Sequence, residues 1–581
     1  MKPRRLGPAE SWASAMRRYF LETFGCQMNI LDSQLVEGQL RARGMTPAVA
    51  YRDADVILFN TCSVRQHAED KVLSRLGQLR GLKRRRPETI IGVIGCMAER
   101  EKEGLFVRAP HVDLLCGPGE LNRLPALLDE AQQRHEHVAA LAGSLSRRTE
   151  VLHRALEYDS LEALDLSRAA SVERDTLQSY IRVQRGCDKF CTYCVVPFTR
   201  GPERSRPPGH LVDEAKMLAE RGCREITLLG QTVNSYLHQE DGRPVPFARL
   251  LERVHAVEGI DRVRFVTSFP ADWDEDIFRV MRDFPRLMPY LHIPAQSGSD
   301  RVLRAMKRGY TAASYRRLMD TARSYLPDVA LAGDIIVGFC GETDADFRAT
   351  VELTRGVQYS GLYVFKYSPR PGTKADRNLA DDVPLEVKQA RNNELLAIQS
   401  EIMLRQKQAW VGRTVEVLVE GYSKLARRSQ GEHNGELRTR GKRSPSFSIR
   451  GAAAIYPAGR RAPSGLTPAP SALTPWPSAL APAPFDLASE QDRGAEVSRE
   501  PSSQLVGRTP QDVITLFDAP PTCIGALVKV RVESATPHSL FGRVVEVISP
   551  PRGAGQRSAT IGLPVVAPGG AHACHSPGAW I

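Results

Sequence analysis

Residues 17–136 alternate short apolar runs with amphipathic stretches. RRYFLETFG, DVILFNT and TIIGVIG have the unbroken apolar character of buried strands. NILDSQLVEGQLRARG and HAEDKVLSRLGQLRGLKRR, between them, repeat their apolar residues at helical spacing. Strand–helix–strand repetition predicts an α/β fold, here a doubly wound parallel sheet covered on both faces. A second alternation fills 173–405, with YIRVQRG, REITLLGQ, RVRFVTSF, PYLHIPAQ, VALAGDIIVGF and GLYVFKYS as strands. Helical stretches such as GHLVDEAKMLAERG and DADFRATVELTRG separate them, and six βα units predict a partial (β/α)6 TIM-like barrel. QARNNELLAIQSEIMLRQKQAW then reads as one long helix leaving it.

Strand-like alternation returns in GRTVEVLVEGYSK, QLVGRTPQDVITLFD and IGALVKVRVESATPHSLFGRVVEV, so 406–438 and 503–548 predict a small antiparallel β-barrel. Between them, 439–502 is rich in Pro, Ala, Ser and Gly; it cannot bury enough apolar surface and predicts a disordered insertion. Residues 1–16 read as a flexible leader, 137–172 as a connector and 549–581 as a flexible tail.

Composition narrows the class. Eleven cysteines in 581 residues are not a secreted disulfide framework. The N-terminus lacks an apolar signal core, although its Arg-bearing, acid-poor character also fits a transit peptide. No run is long enough to span a bilayer. The expectation is a soluble, monomeric chain of the cytoplasm, with no membrane partner and with thiols free to bind metal. A net charge of +12 suits a polyanionic partner but does not by itself require one.

The cysteines carry the chemistry. One follows each of the first three strands directly: Cys26, Cys62 and Cys96. Ligands of open α/β sheets bind at the carboxyl ends of the strands, so these three are predicted to meet on one edge. Three ordinary buried thiols are the alternative, because cysteine is often buried. The small and polar neighbours in GCQMN, NTCSVR and GCMAE favour a shared site. A denser set, Cys187, Cys191 and Cys194, forms CxxxCxxC in VQRGCDKFCTYCVVPFTRG, after the first barrel strand. Structural zinc wants four ligands, and His210 and Cys223 come only later. Iron–sulfur clusters are normally held by four thiolates, so three imply a cluster with one iron open to another ligand. Cys116, Cys223, Cys340, Cys523 and Cys574 have no such context and are expected to be ordinary thiols.

TFGCQMN, NTCSVR, IGCMAE, GCDKFCTYCVVPFTRGPERSRP, LLGQTVNSY, PAQSGSDRVLRAMKRGYT and DIIVGFCGETDADF together resemble the motifs of the radical S-adenosylmethionine methylthiotransferases. Within that family they are most similar to the tRNA-modifying branch that acts on N6-dimethylallyladenosine beside the anticodon. The resemblance runs from Tyr19 to about Val547 apart from the insertion, and GRTPQDVITLF with ATPHSLFGRVV is similar to the family's terminal TRAM domain. One departure is Cys340, where the family usually has Pro.

The resemblance implies two 4Fe–4S clusters and S-adenosylmethionine as cofactors. Cys187, Cys191 and Cys194 would hold the cluster that binds S-adenosylmethionine, and Cys26, Cys62 and Cys96 an auxiliary one. It implies S-adenosylmethionine used twice, as methyl donor to sulfur and as source of a 5′-deoxyadenosyl radical. The tRNA anticodon loop would be the partner; the electron donor and sulfur source are not specified. Such chemistry belongs to cofactors, because no acid, base or nucleophile readily exchanges an adenine C2 hydrogen for sulfur. Gln231, Gln296, Asp334 and Gly338 at strand ends are candidate cofactor-pocket residues, or simply caps of backbone. Arg200, Arg204 and Arg206 in TRGPERSRP are candidate contacts to RNA phosphates, or equally a solvated basic turn. Threonylcarbamoyladenosine in tRNA and an aspartate of a ribosomal protein are rival substrates, and an RNA-binding protein with structural clusters is the non-catalytic rival.

Overall fold

Five apolar residues in a row at Ile90–Ile94, and six buried ones at Val56–Thr61, can only be strands covered on both faces. The computed structural model describes residues 17–63, 66–134, 136–141, 161–162, 164–166, 176–429 and 503–552. The leader, the insertion and most of the tail and connector lie outside the described residues. All the described residues belong to one compact unit, formed by the chain up to 435 and from 502 onward.

The first sheet has six parallel strands in the order Thr46–Pro47, Arg18–Phe24, Val56–Thr61, Ile90–Ile94, Leu114–Cys116, Val138–Ala140. Leu35 and Val36 of helix Gln27–Ala42 and Leu124 and Leu128 of helix Leu124–Arg134 cover one face. Val72 and Leu76 of helix Gln66–Arg85, with Met97 and Leu105, cover the other. The doubly wound sheet is thus present. It runs beyond 136, however: Val138–Ala140 lies in the stretch read as connector, and Leu161 and Leu164 pack on the same core. The winding reverses between Arg18–Phe24 and Val56–Thr61, which is where such sheets open a crevice at their carboxyl ends.

All six barrel strands read from sequence form: Gln178–Arg182, Glu225–Leu229, Arg262–Phe265, Tyr290–His292, Ala330–Val337 and Gly361–Lys366. They make two three-stranded parallel sheets joined by a bridge between Val263 and Leu287. The first and sixth strands belong to different sheets, so the barrel is partial. Ile181, Ile226, Leu228 and Phe265 face the helices. Alternation turns Tyr180, Leu229 and Val266 the other way, where they pack with Met28 and Leu31 of the first domain and with Cys26 and Cys62. The start of helix Gln27–Ala42 is therefore seated against the barrel's inner face.

Five strands close the last barrel in the order Thr414–Tyr422, Gln504–Arg508, Ile514–Asp518, Ser539–Ser549, Leu527–Ala535. Tyr422 pairs with Leu505, so the ring closes across the segment that separates them in sequence. The small antiparallel barrel expected from the sequence is present, with one parallel pair, Ile514–Asp518 beside Ser539–Ser549. A closed ring with an odd number of strands cannot alternate direction all the way round. A Cβ at Gly507 would collide with the Leu418 carbonyl. Gly507→Ala is expected to destabilise the protein by about 1–3 kcal/mol in denaturant titration. Buried Arg224, Arg262 and Arg264 tie this barrel to the second and third strands of the central barrel, donating to the carbonyls of Gly525, Arg508 and Thr509.

Candidate active site

Gly186, in the left-handed region at φ 67°, lets the chain turn out of the first barrel strand; a Cβ there would collide with the Pro202 carbonyl. The cysteine loop that follows is stapled in place. Thr192 receives a bond from Ala375 N at 2.7 Å and donates its Oγ1 to the Ala305 carbonyl at 2.8 Å, and Cys187 N donates to the Gly201 carbonyl at 3.1 Å. Cys187, Cys191 and Cys194 line one pocket together with Gln231, Thr267, Ser268, Gln296 and Arg308. It encloses about 560 Å³ of free space, part of it open to solvent.

The polar lining is unsatisfied. Gln231 Nε2, Thr267 Oγ1, Ser268 Oγ and Gln296 Oε1 are buried without a hydrogen-bond partner. Such groups cost about 1–3 kcal/mol each unless a ligand completes them. Thr267 (φ 72°) and Gln296 (φ 70°) are also held in the left-handed region, a strain that persists only where the surroundings impose it. Arg308 Nη1 lies 3.3 Å from Cys191 Sγ, with its guanidinium 4.6 Å from the Phe269 ring. Burial pushes the Cys187 thiol up to about 12 and raises Cys194 as well. These thiols need a bound cation to become thiolates. Three thiols facing a pocket with orphaned polar groups fit a cluster together with a polar, charged cofactor.

Cys26 caps helix Gln27–Ala42, Cys62 follows Val56–Thr61 and Cys96 opens helix Cys96–Glu101, so two of the three flank the winding switch. Asn29 and Asn60 lock this edge. Asn29 Nδ2 donates to Asn60 Oδ1 at 2.9 Å, Asn60 Nδ2 to the Asn29 carbonyl at 2.8 Å, and Cys26 Sγ to Asn29 Oδ1 at 3.1 Å. Burial opposes ionisation of Cys26, but its hydrogen bond with Cys62 and the Arg200 charge outweigh that and lower it. Burial raises Cys96 to about 11 against the same arginine. No three His, Cys, Asp or Glu among the described residues are drawn together as a single metal ion would need. A cluster needs less, because each thiolate bonds a different iron, and this set fits one.

The three folded parts match known family models: Uncharacterized protein family UPF0004 over residues 18–117, the Radical SAM superfamily over 181–354 and the TRAM domain over 495–545. A tRNA-2-methylthio-N(6)-dimethylallyladenosine synthase of Rhodopirellula baltica is 40% identical over 558 residues, 96% of this chain and 99% of that protein. Synthases of the same name from Protochlamydia amoebophila and Roseobacter denitrificans are each 43% identical over 70% of this chain, and 86% and 88% of theirs. The chain belongs to the tRNA-2-methylthio-N(6)-dimethylallyladenosine synthase family. It is an enzyme of the radical S-adenosylmethionine class, and the family likeness read from its motifs holds.

In this synthase-family chain the secondary candidates separate. Gln231 and Gln296 line the pocket; Asp334 and Gly338 do not. Asp334 lies within strand Ala330–Val337, its Oδ1 3.3 Å from His292 Nε2. Gly338 makes a turn, its N–H donating to Glu342 Oε2 at 2.6 Å, and a Cβ would collide with Lys388. Cys340 is half-buried near Tyr367, and burial raises its thiol.

The reading of Arg200 and Arg206 as RNA contacts is corrected. Arg206 is 0% exposed and ion-paired to Glu162 at 2.7 Å and Glu214 at 2.8 Å. Arg200, its side chain 7% exposed, pairs with Asp32 at 2.9 Å and faces Cys26 and Cys96. Arg204, like Arg200, is half-buried as a residue, and only Arg206 is fully buried. The strand-end rule that points to Gln231 applies equally to Thr267 and Ser268, just after Arg262–Phe265. Arg308 follows a helix and carries no such signal.

Proposed function

We propose that this enzyme replaces the C2 hydrogen of N6-dimethylallyladenosine in tRNA with a methylthio group. In this reading Cys187, Cys191 and Cys194 hold one 4Fe–4S cluster with S-adenosylmethionine, and Cys26, Cys62 and Cys96 hold a second. The observation that carries it is the seating of one thiol set against the other's barrel: Cys26 and Cys62 pack with Leu229, Val266 and Tyr290 of its inner face. When bound, the cofactors supply a carbon radical able to take hydrogen from an sp² carbon, and the sulfur that replaces it.

The chain's own residues position and shield. Tyr193 and Phe269 wall the pocket with apolar surface and exclude water, while Gln231, Thr267, Ser268 and Gln296 offer polar atoms to the cofactor. Arg200 sets a positive charge beside Cys26 and Cys96 from a loop that begins at the other cysteine set, so one short segment touches both centres. Among the described residues no helix is long and apolar enough to cross a membrane, and work on tRNA places the enzyme in the cytoplasm in this reading.

Two expected results test it. Gln296→Ala lowers S-adenosylmethionine affinity about tenfold in equilibrium binding to the cluster-loaded enzyme, the loss of one hydrogen bond to a charged ligand. In cells lacking the protein, tRNA nucleosides show dimethylallyladenosine without its methylthio form. Loss of methylthio-threonylcarbamoyladenosine instead assigns the rival substrate, and unchanged nucleosides overturn the proposal.

A further inference from the structure

Phe190 and Phe198 are 37% and 52% exposed, unusual for phenyl rings, and both belong to the segment that carries Cys187, Cys191 and Cys194. Their rings meet edge to face, with centroids 6.1 Å apart and planes at 76°. The Lys307 ammonium lies 5.9 Å from the Phe190 centroid. Phe190 (φ 46°) and Lys307 (φ 59°) are both in the left-handed region, which a side chain tolerates only at a cost in energy. Each strained residue has a neighbour that lines the pocket: Lys189 and Cys191 flank Phe190, and Arg308 follows Lys307. The backbone twist sends one side chain inward and turns the next outward at the rim.

Lys189 is engaged by Asp272, whereas Lys307 is exposed and makes no ion pair among the described residues. Two exposed phenyl rings and an ammonium without an ion pair among the described residues, carried next to residues that line the pocket, match an unpaired nucleotide, whose base stacks on an aromatic face while its phosphate meets the cation. A peptide or lipid ligand would not call for a lone cation held over one ring of an aromatic pair.

We infer that Phe190, Phe198 and Lys307 form the docking platform for the nucleotide next to the target adenosine in a single-stranded RNA loop. The neighbour stacks on the rings while the target base leaves its own stack and enters the pocket, so the platform compensates part of the unstacking. This rests on the proposal that the substrate is a tRNA loop.

The test is binding of a fluorescent anticodon stem-loop carrying dimethylallyladenosine to the cluster-loaded enzyme, with iron content measured alongside. Phe198→Ala is expected to weaken binding by about tenfold or more, and Phe198→Trp to keep it. Lys307→Met, at an exposed position that contacts no cysteine, is expected to weaken binding and reduce its salt slope by about one. Unchanged affinity in Phe198→Ala with iron retained overturns the platform. If Phe198→Ala loses iron, Lys307→Met decides, and an unchanged salt slope overturns it. A wild-type enzyme that binds no stem-loop at all sinks the tRNA reading as well, whereas wild-type binding untouched by any of these variants sinks the platform alone.

Discussion

Cys191→Ala is expected to abolish methylthiolation, with no dimethylallyladenosine converted in cell-derived tRNA and no spectral response to S-adenosylmethionine. In the proposed reading Cys191 is one of three thiolates, and an iron that loses it has no ready replacement: Arg308, which touches this sulfur, is a cation, and burial holds the nearby Tyr193 hydroxyl in its neutral form. The loop is held by Thr192 and Cys187 backbone bonds that do not involve the thiol, so the fold is expected to survive. Cys96→Ala separates the two centres. It should also stop product formation while leaving the spectral response to S-adenosylmethionine, because the pocket keeps its three cysteines. Product from Cys191→Ala would refute the assignment of the first set.

Arg206→Ala is expected to be the most destabilising single change in the barrel, at about 3–5 kcal/mol, the usual cost of removing one member of a buried ion group. Arg206 donates from Nε to Glu162 and from Nη1 to Glu214 and the Arg182 carbonyl, and Asp165 stands 3.7 Å away. Its removal strands carboxylates that are themselves buried. Glu162 and Asp165 belong to the segment between the two α/β domains, and Asp32 on the first helix pairs with Arg182, so the loss loosens the seating of one domain on the other. Chemical denaturation should show the loss, while the salt dependence of RNA binding stays as in wild type. Wild-type stability with a reduced salt slope would return Arg206 to the RNA.

Those arginines mark where sequence reading ended. TRGPERSRP looks like a basic turn because its acidic partners, Asp32, Glu162 and Glu214, lie elsewhere in the chain and only folding assembles them. The six barrel strands were legible because a parallel sheet buries both faces and leaves unbroken apolar runs, as in Ala330–Val337. Val138–Ala140 was not, since three residues are too few to establish a period. Both cysteine sets stand out in the sequence because each lies in a local motif after a strand. Asp334 misled for a related reason: a polar residue near a strand end suggests the mouth, but it sits inside its strand, paired with His292. The parallel pair in the last barrel follows from strand count, which periodicity does not fix.

Metal analysis of anaerobically purified protein bears most directly on the claim that two separate thiol triads each grip an iron–sulfur core. About eight iron and eight sulfide per chain are expected, falling to about four in Cys96→Ala. About one zinc with negligible iron would contradict it.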